Sequence, residues 1–369
     1  MILHINTSRE WRGGEQQLFY LSQGLAAEKI EQAVIGNPGT PLEERCQNEG
    51  IPFFPVEMRG EWDFRAVRQI RQLAIQNKVS LIHTHTGHAH TLALLAKRKH
   101  LKIPLVVSRR VDFKPARSLF SKWKYNHDAI DYFLPVSQKI RSIMMEAGIS
   151  PEKLITVYSG IDTKRFAKLP QSNSLREEFS IPKKTLIIGN IAALVDHKDQ
   201  DTLIRSLSKI NTEVSYKLMI VGEGKLEKKL RNLTKELNLD DKIIFTGYRK
   251  DIPELLSLFD IFTLTSKEEG LGTSVLDAMA AGLPIVATRG GGIAEMLNDN
   301  SGALLADVGD SSLLANHFEN LLASEEKRIS FGAYNKHSVN RFSYHNTTQK
   351  TKLVYFSLIG DSLYGKKIK

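Results

Sequence analysis

The segment SKEEGLGTSVLDAMAAGLPIVAT, residues 266–288, concentrates residue types that could hold an anion beside a polyol. Glu269, Gly270 and Gly272 follow the apolar run IFTLT, and Asp277 lies eight positions after Glu269. The pattern reads as strand, loop, helix, strand, with the helix opening near Gly272 to Ser274. Loop glycines let a backbone approach a ligand closely, and the unpaired amides of a helix N-terminus favour a diphosphate. One acid at the mouth of the loop and a second in the first turns of the helix suggest recognition of sugar hydroxyls.

A second concentration of chemistry is LIHTHTGHAHTL, with His83, His85, His88 and His90 just after an apolar strand. Histidines two apart on a strand share a face, which raises zinc. No cysteine or carboxylate accompanies them, so no metal is expected. NDN at Asn298 to Asn300 reads as a turn and not as an acidic metal motif.

These residues need elements to position them. Apolar or β-branched runs recur as ILHI, QAVIG, LIHTH, PLVVS, DYFLPVS and LITVY over the first 160 residues, separated by stretches of helical period. After a polar segment the rhythm restarts with TLIIGNI, KLMIVG, KIIFTG, DIFTLTS, PIVAT and GALLA, as two α/β sheets in tandem would require. The break near Pro170 to Pro182 places the boundary, giving domains 1–168 and 169–341. A final helix over about 342–364, with Leu353, Phe356 and Leu358 near helical spacing, is expected to pack back on the first domain, and the tail GKKIK to be disordered.

A chain of 369 residues that is 41% hydrophobic can bury a core in each of two domains. The single cysteine, Cys46, excludes an internal disulfide framework and points to a reducing compartment. No stretch approaches the roughly 18 apolar residues of a membrane span, so a cytoplasmic protein is expected. The net charge of +10 draws anions of three kinds: nucleic acid, an anionic membrane and a phosphorylated substrate. Its basic clusters, Lys97 to Lys102, Arg109 to Lys124, Lys225 to Arg231 and Lys366 to Lys369, are short and separated. Nucleic-acid binding would call for aromatic–basic interleaving or a helix-turn-helix, and neither is read, so no nucleic-acid partner is expected.

The acid pair Glu269 and Asp277, with seven residues between, resembles the pair of the retaining family 4 glycosyltransferases, the group 1 enzymes of GT-B fold. The second position is Asp here where that family usually has Glu. Further pieces fall in the family's order: RGGEQQL, SGIDTKRF, GNIAALVDHKDQDTL, IVGEGKLEKKL, TGYRKDIPELLSLFDIF and GGIAEML. The resemblance implies two Rossmann-like, doubly wound domains facing a cleft, with the last helix crossing back to the first.

It also implies roles. Glu269 would bind donor-sugar hydroxyls, Asp277 the ribose, and the amides of Gly270, Leu271, Gly272, Thr273 and Ser274 the diphosphate. Gly13 and Gly14 would pass the donor phosphate, with Glu15 beside the acceptor. Asn190 and Gly222 would line the nucleotide side, and Tyr248 and Arg249 would border the base. Lys198 would steady the departing diphosphate, but Ala193 stands where many members carry Arg, leaving Lys198, the helix amides and Arg289 to compensate. Glu295 would lie near the end of the loop that closes the donor pocket. His85 would touch acceptor or donor, with the other histidines as polar residues at a helix start. Arg109 and Arg110 would clamp an anionic acceptor with Asp112 as a hydrogen-bond partner, although an Arg–Asp ion pair explains them as well.

The implied activity is transfer from a nucleotide-diphosphate sugar to a saccharide or lipid-linked saccharide, with retention of configuration and without metal or cofactor. UDP is the first expectation for the base and GDP the second, in lipopolysaccharide or other surface-glycan synthesis. Peripheral attachment to an anionic membrane, on the inner face of the cytoplasmic membrane, accompanies that expectation. The rival is a sugar-nucleotide epimerase on the same double-Rossmann plan, which would need no acceptor. GEGKLE after IVG lacks the third glycine of the dinucleotide fingerprint, which counts against a nicotinamide enzyme.

Overall fold

Apolar runs that must be covered on both faces build parallel sheets, and the chain has two of them, each of six strands. The computed structural model describes residues 1–97, 101–112, 114–115, 118–166, 168–170 and 172–360. Two compact units divide the chain: Met1–Ile161 with Phe342–Lys369, and Asp162–Arg341.

The first unit carries β1 (Ile2–Ile5), α1 (Gly13–Ala27), β2 (Gln32–Gly36), α2 (Pro41–Asn48), β3 (Phe53–Pro55), α3 (Phe64–Gln76) and β4 (Leu81–Thr84). It continues with α4 (Gly87–Lys97), β5 (Leu105–Arg109), α5 (Leu119–Tyr125), β6 (Tyr132–Pro135) and α6 (Gln138–Glu146). Strand order is β3-β2-β1-β4-β5-β6, all parallel. Every residue of β1, β2 and β4 is buried, as strands sandwiched between helices demand.

The second unit carries α7 (Asn173–Glu178), β7 (Leu186–Ile191), α8 (Gln200–Leu207), β8 (Tyr216–Val221), α9 (Glu227–Glu236), β9 (Ile243–Gly247) and α10 (Ile252–Leu258). It continues with β10 (Ile261–Leu264), α11 (Thr273–Ala280), β11 (Ile285–Thr288), α12 (Ile293–Met296), β12 (Ala303–Ala306), α13 (Ser311–Ala323) and α14 (Glu325–Ser338). Its order, β12-β11-β10-β7-β8-β9, has the same topology as the first sheet. The core gathers Ile188, Leu203, Leu218, Ile220 and Phe318, the side chains that the strands and flanking helices turn toward each other.

The last helix, α15 (Tyr344–Ile359), belongs to the first unit. Its Val354 and Tyr355 enter the core with Leu21 and Leu25 of α1, and Tyr344 stacks on Tyr20 at 5.2 Å. Gln17 of α1 both donates to and accepts from the Gly160 backbone, at 2.7 and 2.8 Å.

Three expectations need correction. The division falls at 161/162, ahead of 168/169, because the short turn Thr163–Phe166 packs on α11 and buries Phe166. LITVY makes only a one-residue bridge, Leu154 to Phe133, while the three-residue β3 was not anticipated. In α15, Leu353 and Phe356 point outward, and Thr348, Thr351, Val354 and Tyr355 form the buried face instead. The end of that helix at 361–364, the tail GKKIK with its basic run, and parts of the basic runs at 98–100 and 117 lie outside the described residues. Among the described residues no helix is long and apolar enough to cross a membrane.

Candidate active site

In the second sheet β7 and β10 are neighbours whose connections leave in opposite directions, so the loops after them diverge at the carboxyl edge. Those two loops are stitched together. Thr265 Oγ1 donates to the Lys198 and Asp199 carbonyls at 3.3 and 3.0 Å, and Lys267 N donates to the His197 carbonyl at 2.8 Å. This brings Lys198 Nζ against Glu269 Oε2 in a charge-assisted hydrogen bond, and Ser266 Oγ donates to the same oxygen at 3.3 Å. With only 17% and 14% of the two side chains exposed, water screens the pair weakly.

Glu269 is held from behind as well. Gly292 N donates to its carbonyl at 2.8 Å. Gly291, at φ 59°, approaches so closely that a Cβ would lie 2.1 Å from that same oxygen. The Gly290 to Gly292 run therefore positions the acid, a role that the sequence reading did not assign to it. Its signal was the run of three glycines one residue after a buried strand.

The helix that follows, α11, starts on Gly272 at φ 86°, with no side-chain cap and no acid in its first turn. Its amide end is thus left for an anion. Gly270 and Leu271 are buried beneath it, and Thr273 and Ser274 are half-buried. Asp277 is half-buried too, and its carboxyl has no hydrogen bond among the described residues. Burial pushes that carboxyl up to about 7, opposed by the charge of Arg165.

Other anticipated donor residues divide into those near this edge and those otherwise engaged. Asn190, in β7, donates to the Thr263 carbonyl at 2.9 Å and keeps a buried Oδ1 without a partner among the described residues. Gly222 is required by the chain itself, since a Cβ there would sit 2.1 Å from the Ala192 carbonyl oxygen. Tyr248 is 63% exposed, whereas Arg249 is clamped by Glu178 of α7 and by Asp251. Arg289, expected to compensate for Ala193, instead pairs with Asp299 at 2.7 Å and approaches Asp307 at 3.9 Å. Glu295 lies in α12, near the end of the loop after β11.

The first unit has its own divergence point, between β1 and β4, and fills it differently. His4 of β1 sits in register with His83 of β4, with His85 just beyond. His4 Nδ1 and His85 Nε2 are 3.0 Å apart, and His83 bonds the Tyr355 hydroxyl of α15 and Ser108 Oγ. Arg110 Nη2 lies 3.3 Å from His85 Nδ1 and its Nη1 donates to the His85 carbonyl. Because a guanidinium only donates, His85 must carry its proton on Nε2 and give it to His4 Nδ1. Burial, weakly opposed by the Gln32 side chain, holds His4 down at about 3. Burial with the neighbouring histidines and Arg110 holds His83 and His85 well below the ordinary range.

Ligand atoms of His4, His83 and His85 fall within 4.8 Å of one another. Both nitrogens of His83 are already bonded, and Arg110 brings positive charge to the group, so the donor set fits a hydrogen-bonded cluster and not a cation.

Several acceptor-side expectations are corrected. Glu15 is buried and holds Asn6 Nδ2 and the Arg12 amide, both at 3.1 Å, as the capping-box acid of α1. Arg109 is buried, donates to the Tyr125 hydroxyl at 2.6 Å and is supported by the charge of Asp112. Arg110 is turned to His85, and burial lowers it to about 10. His83 is a strand residue, and His90 is buried against Tyr125 and Phe133, so neither is a polar helix-start residue; His88 alone is exposed. Gly13 opens α1, and a Cβ on Gly14 would meet nothing within 4 Å, so the fold itself does not demand glycine at 14.

Comparison with known proteins follows the same two halves. Residues 171–338 match the family model described as glycosyl transferases group 1, and residues 11–165 match glycosyltransferase family 4. The chain is 27% identical over 314 residues to N-acetyl-alpha-D-glucosaminyl L-malate synthase of Bacillus anthracis, covering 83% of this chain and 82% of that one. It is 30% identical over 217 residues to a GDP-mannose-dependent alpha-(1-6)-phosphatidylinositol monomannoside mannosyltransferase of Mycobacterium tuberculosis, 56% of each chain. The solved structure of HepE from Anabaena, in complex with UDP and glucose, superposes with a TM-score of 0.83 at 20% identity, over 97% of this chain and 99% of that one.

Proposed function

We propose, for a chain that belongs to the family 4, group 1 glycosyltransferases, the transfer of a sugar from a nucleotide-diphosphate donor to a saccharide acceptor with retention of configuration and without a metal. The observation that carries the reading is the Lys198–Glu269 pair beside the uncapped amide end of α11. A diphosphate entering there meets a cation and open amides, while Glu269, relieved of part of its pairing, accepts hydrogen bonds from the sugar. Asp277, on the same helix, would accept hydrogen bonds from the ribose.

The acceptor hydroxyl would attack from the face that the nucleotide diphosphate leaves, forming the new glycosidic bond as the old one breaks. The departing phosphate oxygen takes the acceptor proton, so no protein base is needed. Lys198 and the α11 amides stabilise the charge that develops on the leaving group. UDP is favoured by the ligand of HepE; the GDP-mannose named for the mycobacterial relative keeps GDP second. A lipid-linked saccharide of surface-glycan or lipopolysaccharide synthesis is the acceptor class proposed, met at an anionic membrane that a net charge of +10 favours.

Calorimetry of UDP, GDP, ADP and their sugar conjugates in EDTA, against wild type and Glu269→Ala, tests the donor site. UDP should bind without metal, and the sugar should add affinity that the variant lacks. Absence of nucleotide binding would sink the assignment. An acceptor panel should include L-malate, the acceptor in the B. anthracis relative's name, and the anomeric coupling of the product reads retention directly.

A further inference from the structure

The first unit presents an apolar ridge that none of the above uses. Trp62 is 55% exposed and lies 5.0 Å from Phe120, which stacks on Trp123 at 5.7 Å. Leu119, at 86%, is the most exposed large apolar residue among the described residues, and Phe64 at the start of α3 is 65% exposed. The ridge is not a loose loop. Ser118 caps α5, Lys124 turns inward to Glu61 at 2.6 Å, and Asp63 caps α3.

The helix faces sort themselves by solvent. On α5, Leu119, Lys122 and Trp123 point out while Ser121 and Lys124 point in, and on α3, Phe64 and Arg68 share the outer face one turn apart. The nearby acids are already engaged: Glu61 with Lys124 and Thr91, Asp63 with the amides of Arg59, Arg65 and Ala66. Arg65, Arg68 and Lys122 are exposed and make no ion pair among the described residues. Exposed apolar side chains thus have unpaired cations close by along the chain: Lys122 is next to Trp123, and Arg68 is one turn from Phe64.

We propose that this ridge docks the first unit on an anionic lipid surface, with Trp62, Leu119 and Trp123 entering the headgroup layer and Arg68 and Lys122 meeting lipid phosphates. An exposed apolar patch of this kind marks a docking surface, and Trp beside Lys and Arg is the composition of the membrane–water boundary. A second copy is a poorer occupant, since each chain brings +10 to the contact. The run LFSKWKY does interleave aromatic and basic residues, which the sequence reading passed over. With Lys124 buried, only Lys122 of that run's two lysines faces outward, too little to track a nucleic-acid backbone. The proposal deepens the lipid-linked acceptor reading and rests on it.

Flotation with phosphatidylcholine vesicles, with and without phosphatidylglycerol, tests it at low salt and without donor. Wild type should float only with the anionic vesicles, with a blue shift of tryptophan emission. Arg68→Gln/Lys122→Gln should weaken binding on the order of 30-fold, from the contribution of two interfacial cations. Leu119→Ser/Trp123→Ser should abolish flotation, and both variants should melt as wild type does. The idea is overturned if wild type stays at the bottom of the gradient, or if the variants float equally well. It is also overturned if light scattering shows a dimer that the serine variant dissolves, which would give the face to a second copy. Nucleotide binding is measured separately, so a failed donor site and a failed lipid face are told apart.

Discussion

The two sheets share one strand order and reach opposite solutions at the same topological point. Where β7 and β10 part, the chain places an ammonium against a carboxylate beside open helix amides. Where β1 and β4 part, it buries three neutral histidines, a tyrosine and an arginine in a chain of hydrogen bonds. A fold of this kind guarantees a crevice, not a chemistry. A charged pair beside open amides suits the diphosphate site proposed above, while a desolvated neutral cluster suits a structural floor.

The sharpest way to break this contrast is to remove the charge from the second site. Lys198→Ala should lower kcat by about 10²–10³-fold, the range for deleting one preorganised electrostatic stabiliser. Glu269 would then lose its cation in a poorly screened position, so donor affinity should fall with it. Steady-state kinetics with saturating donor separates the two effects. A variant with an unchanged kcat would mean that the pair is a loop clasp only, and that the amides alone carry the leaving group.

The first site should respond in stability instead of rate. Tyr355→Phe removes a fully buried hydroxyl from His83 and leaves one ring nitrogen without a partner. The expected cost is about 1 kcal/mol, or about 2–4 °C in Tm for a unit of this size. Transfer under saturating conditions should be nearly unchanged. If kcat falls steeply while Tm holds, the histidine cluster takes part in the reaction and the contrast between the sites collapses.

What could be read in advance follows the range of the interactions. Both sheets were legible because ILHI, TLIIGNI and PIVAT are mostly apolar runs without the polar alternation of a half-exposed strand, as two-sided burial requires. β3 was not, since FFP is three residues with a proline and gains its strand character from pairing with β2. Glu269 and Lys198 were each legible from local motifs, but their contact spans 71 positions and needs both loops folded. His4 was passed over as one polar residue in an apolar run, and its neighbour Tyr355 lies on a helix at the far end of the chain. Glu15 and Arg109 misled for the opposite reason: their residue types suit a substrate, while nearby backbone and Tyr125 claim them first.

The finest comparison is between the two acids on the donor edge, one paired and one not. Asp277 sits at about 7 in the fold and near 3.9 when unfolded, so between those values the folded chain holds a proton that the unfolded chain has lost. Its contribution to stability is therefore full below about 4 and is lost as pH rises toward about 7, with no further change above. Asp277→Asn should flatten that slope in Tm against pH. Ribose hydroxyls need the ionised acceptor, so wild-type UDP affinity should rise a few-fold between about pH 6 and about pH 8, centred on that same titration. The Asn variant should bind UDP more weakly and show no such rise. If wild type is flat over this range, Asp277 does not meet the ribose, and Glu269 is left as the one acid proposed to touch the donor.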